Sequence, residues 1–215
     1  MTQPIAMSRP ATTISRKKLV LATSNQGKID ELRQILGSDW QILGMNEFNA
    51  IAADETGSTF EENAILKSEA VASQTGLPSL ADDSGLVVDA LGGAPGVYSA
   101  RFAGPEANDA ANRELLLKEM ESFGTGFRDC RFVCAIALSV PGQPTVTVRG
   151  TCEGTIGHQE IGNNGFGYDS LFVLADGRTM AQLEPEEKNA ISHRGVAMQR
   201  IIPILRQALN GEESS

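Results

Sequence analysis

Long apolar runs are absent from this chain, and that absence sets the first limit on what it does. The strongest apolar stretch, Phe132 to Val140, falls well short of the roughly 20 residues that a membrane-spanning helix requires, so no crossing of a bilayer is expected. Residues 1–16 lack the apolar core of about 7–15 residues found in secretory signals, and they read as a loose tail. Cysteine is scarce: Cys130, Cys134 and Cys152 form an odd set, which excludes a disulfide framework and fits reduced thiols in the cytoplasm. Cys130, Phe132, Cys134, Ile136 and Leu138 alternate along one apolar strand face, so the cysteines read as core residues in preference to a zinc site shared with His158. The default for His158 itself is a surface or core histidine. Basic residues are outnumbered, 18 Lys and Arg against 27 Asp and Glu for a net charge of −9. That balance excludes a broad basic surface for long nucleic acid. A small anion stays admissible, because it needs only a local cluster of donors and a metal ion to offset nearby carboxylates.

What is present is enough chain for one substantial core. With 215 residues and 41% hydrophobic content, we expect a single globular unit over residues 17–210, with no internal repeat and a short polar tail at 211–215. Its elements alternate between α and β. Lys18 to Thr23 reads as a buried strand, followed by a helix carrying Ile29, Leu32, Ile35 and Leu36 and stopping at Gly37. Gln41 to Met45 is a second strand. Thr59 with Glu62 three residues later is a capping box, opening a helix that ends near Gly76 and Pro78. Ser79 to Ala81 and Leu86 to Leu91 read as strands or strand ends, and Asn108 or Asp109 caps a helix through Met120. Arg128 to Val140 and Thr145 to Thr155 flank Pro141-Gly142-Gln143-Pro144 as an antiparallel hairpin. Leu171 to Leu174 follows, and a last helix runs from about Ser192 to Leu209, with Pro203 expected to kink or split it. The fold class is α/β with a mixed central sheet.

Four segments carry candidate chemistry. Thr23, Ser24, Asn25, Gln26, Gly27 and Lys28 stand where a strand hands over to a helix, and amides, hydroxyl, carboxamide and ammonium there suit phosphate oxygens. The Walker spacing is missing, and an ordinary strand-to-helix turn uses the same residue types. The second segment is acidic: Glu55 in a loop, Glu61 and Glu62 opening a helix, and Asp82-Asp83-Ser84-Gly85 at a strand end. Mg²⁺ asks for one or two carboxylates plus water and substrate phosphate. Glu61 and Glu62 read as stabilisers of a helix N-terminus, and a turn competes for the Asp pair. In the third, Phe166, Gly167, Tyr168 and Asp169 follow Asn163-Asn164-Gly165, a loop on which a base could stack or a plain turn between strands. The fourth gathers Lys188, His193 and Arg194 as donors to an oxygen-bearing base edge, with Ser192 as an N-cap and solvated charges as the competing reading.

Taken in order, TSNQGK, ETGSTFEENAILK, ADDSGLVVDALGGAPGVYSARFAG, GFGYD and EEKNAISHRG resemble the non-canonical purine NTP pyrophosphatase family, also called inosine triphosphatase or HAM1-like, over about Lys18 to Leu209. The resemblance implies two lobes around a cleft, a homodimer, and hydrolysis of ITP, dITP or XTP to the monophosphate and pyrophosphate. It implies that Thr23 to Lys28 hold phosphates, that Glu55 and Asp83 bind Mg²⁺ with Asp83 also the proton acceptor, and that Lys67 supports this network. Ser84 would contact substrate, Phe166 to Asp169 would line the base pocket, and Lys188, His193 and Arg194 would read the purine. One departure is Ser170, where the family usually has proline, so a less rigid loop is expected. Three rivals stand beside this reading: a Maf-like pyrophosphatase of other base preference, a non-catalytic nucleotide-binding protein, and a serine hydrolase built on Ser84. The last lacks the nucleophile-elbow pattern.

Overall fold

The apolar run read at Lys18 to Thr23 forms an inner strand, Lys17–Leu21, of a six-stranded sheet. The structure, a computed structural model, describes residues 17–51 and 53–210; the tails expected at 1–16 and 211–215 lie outside the described residues. The strands are β1 (Lys17–Leu21), β2 (Trp40–Gly44), β3 (Ser79–Val88), β4 (Asp129–Ser139), β5 (Val146–Ile156) and β6 (Phe172–Val173). Their order is β2-β1-β3-β4-β5-β6. β1 runs parallel to β2 and β3, and the remaining pairs are antiparallel, which makes the mixed sheet expected from the alternating pattern.

Among the described residues, five α-helices cover the sheet. Helix α1 (Gln26–Leu36) starts at Asn25, whose side-chain oxygen accepts the Lys28 amide, and ends at Gly37. Helix α2 (Phe60–Thr75) opens with the expected capping box, Thr59 and Glu62 each accepting the other's backbone N–H. Asn108 caps α3 (Asp109–Glu119). The sequence reading missed α4 (Pro185–Ile191), a seven-residue helix with proline in its first turn. Helix α5 (His193–Asn210) runs through Pro203 as one helix. The expected split lies instead at Ser192, between α4 and α5, where the Ser192 hydroxyl accepts the Gly195 amide as an N-cap does.

Period-2 alternation explains the core. On one face of the sheet, Leu19, Leu21, Leu80, Ile136 and Leu138 pack with Leu32 and Leu36 of α1 and Met198, Ile201 and Leu205 of α5. On the other face, Val133, Ala135 and Ala137 lie with Phe60 and Ala64 of α2. Both faces of β4 are therefore buried, more than the single apolar face read from the sequence. Further along the first face, Leu86, Val88, Cys130 and Phe132 form a second cluster with Leu116 of α3 and Met120, the residue that follows it. Cys130 and Cys134 are free core thiols and Cys152 is half-buried; burial pushes Cys134 up to about 12, so it behaves as an inert apolar residue. His158 is exposed.

One correction concerns the centre of the sheet. Residues 79–91 were expected as two strands or strand ends, yet β3 is unbroken from Ser79 to Val88 and ends in a 3₁₀ turn at Asp89–Leu91. Asp82, Asp83 and Ser84 are inside it, opposite Ile136, Ala135 and Cys134. The reason is that cations from three helices meet these carboxylates, as set out below. Helix α5 reaches its place because β5 has a glycine there: a Cβ on Gly150 would stand 2.2 Å from the His193 carbonyl oxygen and 2.5 Å from the Ala197 nitrogen.

Candidate active site

Along the first face of β3 the side chains run Leu80, Asp82, Ser84, Leu86. The two apolar clusters meet at this polar interruption, and a cleft opens there. Its lining includes Lys28, Glu55, Asp83, Ser84, Phe132, Phe166 to Asp169, Lys188, His193 and Arg194, a mixture of apolar walls and a few convergent polar groups of the kind that small-molecule sites use. A second cavity, lined by Thr23, Ser24, Asn25, Lys28, Glu55, Lys67 and Arg101, shares Asn25, Lys28 and Glu55 with the first. The two form one cleft with an aromatic end and a polar end.

Asp82 and Asp83 are neighbours in a strand, so they point to opposite faces and meet different cations. Asp82 is 1% exposed. Its Oδ2 lies 3.1 Å from Lys28 Nζ and accepts from Arg194 Nη2 at 2.9 Å and the Ser84 hydroxyl at 3.0 Å. Burial raises this carboxyl, but Lys28 and Arg194 outweigh it and hold it well below the usual carboxylate range. Its Oδ1 is buried with no hydrogen-bond partner among the described residues. Asp83 accepts from Lys67 Nζ at 2.9 Å and Asn63 at 3.3 Å. Lys67 also donates to Glu55 at 2.8 Å, and Glu55 accepts from Arg101 at 3.0 Å. Burial pushes the Asp83 carboxyl up against the pull of Lys67. Burial also raises Glu55, but Lys67 and Arg101 bring it below its ordinary value.

At the aromatic end, Phe166 rests on the start of α1. Gly27 makes room for it, since a Cβ there would stand 2.8 Å from the ring. Lys188 Nζ lies 4.9 Å and Arg194 Cζ 5.7 Å from the ring centroid. Lys188 donates to Glu31 at 2.6 Å and Asp169 at 2.7 Å, and Arg194 makes four donations, to Glu31, to Ser84 and from both Nε and Nη2 to Asp82. An ammonium has three N–H groups and a guanidinium five, so one on each remains. His193 stacks on Phe132 with centroids 4.8 Å apart, and its Nδ1 is buried without a partner among the described residues. Burial, then Arg194 and Lys188, push its pKa well below the ordinary histidine value. The imidazole is neutral.

A model of the Ham1 family matches residues 19–204. The chain belongs to the Ham1 family. It is 48% identical over 196 residues to a dITP/XTP pyrophosphatase of Bacillus licheniformis, covering 89% of this chain and 100% of that one. It is 50% identical over 196 residues to a dITP/XTP pyrophosphatase of an Exiguobacterium species, covering 88% and 99%. Among solved structures, a HAM1 protein from Coxiella burnetii superposes with a TM-score of 0.81 at 42% identity, covering 89% of this chain and 99% of that one. The Ham1 protein of Staphylococcus aureus gives 0.78 at 46% identity, covering 91% and 100%.

In this Ham1 protein nearly all the residues singled out from the sequence border the one cleft. Lys28, Glu55, Lys67, Asp83, Ser84, Phe166 to Asp169, Lys188, His193 and Arg194 meet there, as do Thr23, Ser24 and Asn25. Gln26 does not line either cavity; it is exposed and its carboxamide donates to Asp30 at 2.7 Å. Tyr168 lines the cleft, but its ring is buried and its hydroxyl donates to the Ser99 carbonyl at 2.8 Å, so it anchors the loop. Glu61 pairs with Arg149 at 3.0 Å, and Glu62 serves its capping box. Sequence reasoning missed Glu31 and Arg101. Glu31 stands three residues after Lys28 on the same helix face, a spacing that could have marked it.

Proposed function

We propose that this chain hydrolyses ITP, dITP and XTP to the nucleoside monophosphate and pyrophosphate. The observation that carries the reading is the single cleft with a buried carboxylate and lysine network at one end and a cation-backed aromatic ring at the other. The relatives named dITP/XTP pyrophosphatase support the same reading. The backbone start of α1, Asn25 and Lys28 receive phosphates, where helix dipole and ammonium both favour an anion. Asp83 accepts the proton of the attacking water, a role for which it borders the cleft and is held in place by Lys67 and Asn63. Lys28 and Lys67 stabilise the charge that moves onto the departing pyrophosphate.

The donor set fits a divalent ion, Mg²⁺ in this proposal. Glu55 and Asp83 offer hard oxygens drawn together by Lys67, and Mg²⁺ accepts one or two carboxylates when phosphate and water complete its shell. When bound, the ion supplies neutralisation of phosphate charge. At the other end the purine stacks on Phe166, and the unused N–H groups of Lys188 and Arg194, with the His193 imidazole, address its oxygens. A site without an acceptor for a 2-amino group leaves guanine with an unpaired donor, which disfavours it.

The homodimer and the cytoplasmic setting belong to this proposal. Among the described residues no helix is long and apolar enough to cross a membrane, and light scattering on the purified chain tests the dimer. The activity is tested by pyrophosphate release from ITP, XTP, dITP, ATP, GTP and dTTP with and without Mg²⁺. Metal-dependent release from the first three alone is expected. A preference for dTTP points to the Maf-like alternative, and binding without release to a nucleotide carrier.

A further inference from the structure

The loop that carries Phe166 is gripped by a helix that supplies no stacking surface for a base. Asp109, at the start of α3, accepts the Gly167 N–H on its Oδ2 at 2.7 Å. Arg113, one helical turn further on, donates from Nη1 to the Gly167 carbonyl at 2.9 Å. Residues four apart share a helix face, so one face of α3 holds both backbone polar groups of the residue that follows Phe166. Arg113 is itself held. Its Nε pairs with Glu160 Oε2 at 2.7 Å, and the same oxygen accepts the Ser170 hydroxyl at 2.9 Å. The linkage leaves the loop at Ser170, passes through Glu160 and Arg113, and returns to the loop at Gly167. Ser170, the departure from the family's proline, takes part in the tether through its hydroxyl.

We propose that Arg113 is a positioning residue for base recognition, fixing with Asp109 the residue next to Phe166, through the peptide groups on its two sides, and so the orientation of the ring in the cleft. The inference rests on the base-stacking reading of Phe166 above. Arg113 lines neither the aromatic nor the polar end of the cleft but the far side of the loop, in a cavity bordered also by Phe166 and Gly167, so its proposed effect on the base runs through the loop. Preorganisation of a binding surface shows in the affinity for the group that surface contacts. Loss of Arg113 therefore weakens the hold on the base and spares the phosphate chemistry.

The test is steady-state kinetics on the full chain with ITP and with base-free ribose 5-triphosphate, comparing wild type with Arg113→Ala, Arg113→Lys and Glu160→Gln. For Arg113→Ala, KM for ITP is expected to rise roughly ten-fold, the size of one hydrogen bond from a charged donor. Its kcat should stay within about two-fold, as removal of binding shared by ground and transition states requires. KM for the base-free substrate should not move, Arg113→Lys should restore part of the loss, and Glu160→Gln should shift KM for ITP in the same direction by less. An unchanged KM for ITP, or equal rises for both substrates, overturns the proposal. Should Arg113→Ala not fold, Glu160→Gln, whose side chain is 44% exposed, decides by the same comparison. Absence of turnover by wild type overturns the activity reading and this inference with it; turnover with flat variants overturns this inference alone.

Discussion

Asp82 and Asp83 are chemically identical neighbours that the strand turns to opposite sides, and their environments separate their roles. Asp82 is closed in by Lys28, Arg194 and Ser84, whereas Asp83 is pushed up by burial and borders the cleft. Asp83→Asn is expected to lower kcat for ITP by roughly 10²–10⁴-fold, the usual loss of a general base, with KM nearly unchanged in the same assay. Asp82→Asn instead leaves buried cations short of a partner, and should cost about 3–5 kcal/mol of folding stability by denaturant titration. His193 gives a pH signature. Its folded pKa is depressed, so the stability it contributes is present above its unfolded value of about 6.5 and is lost as pH falls below that value. Asp82, also depressed, adds a second loss as pH falls below about 3.9. Asp83 and Asp169 are raised by burial and act in the opposite sense over the carboxylate range. Wild-type Tm should therefore fall between pH 7.5 and 5.5, and His193→Gln should flatten that slope; equal slopes would count against the buried neutral imidazole.

Elements with local signals were legible from the sequence and those set by tertiary charge were not. The capping box at Thr59 and Glu62, the Asn108 cap and the hairpin around Pro141-Gly142 depend on residues close in sequence, and each lies where its pattern placed it. The middle of β3 does not follow local rules. Two aspartates in a buried strand read as a break, and only Lys28 of α1, Lys67 of α2 and Arg194 of α5, distant in sequence, make the unbroken strand tenable. Helix α4 was missed because seven residues give too short an apolar period, and Pro203 was overweighted because packing of Ile201 and Leu205 holds α5 together around it. Gly150 tests the element scale. Gly150→Ala places a methyl against the α5 backbone, and should cost about 1–3 kcal/mol in denaturant unfolding, while raising KM through displacement of His193 and Arg194.

Across the whole molecule, the cleft follows from a break in one sheet face. Two apolar clusters share that face, and β3 sets Asp82 and Ser84 between them, so the polar gap and the cavity coincide. The residues of the candidate site were legible as five ordered motifs, but their division of labour was not. That Gly27 seats Phe166, that Tyr168 is an anchor, and that Glu31 ties Lys188 to Arg194 depend on contacts between segments up to 163 positions apart. The central claim is that one cleft binds a purine at its aromatic end and directs water to the α–β linkage at its polar end. Phosphorus NMR of ITP incubated with the enzyme and Mg²⁺ tests it most directly. The account predicts inosine monophosphate and pyrophosphate as the first products, both formed roughly 10²–10⁴-fold more slowly by Asp83→Asn; inosine diphosphate and orthophosphate would contradict it.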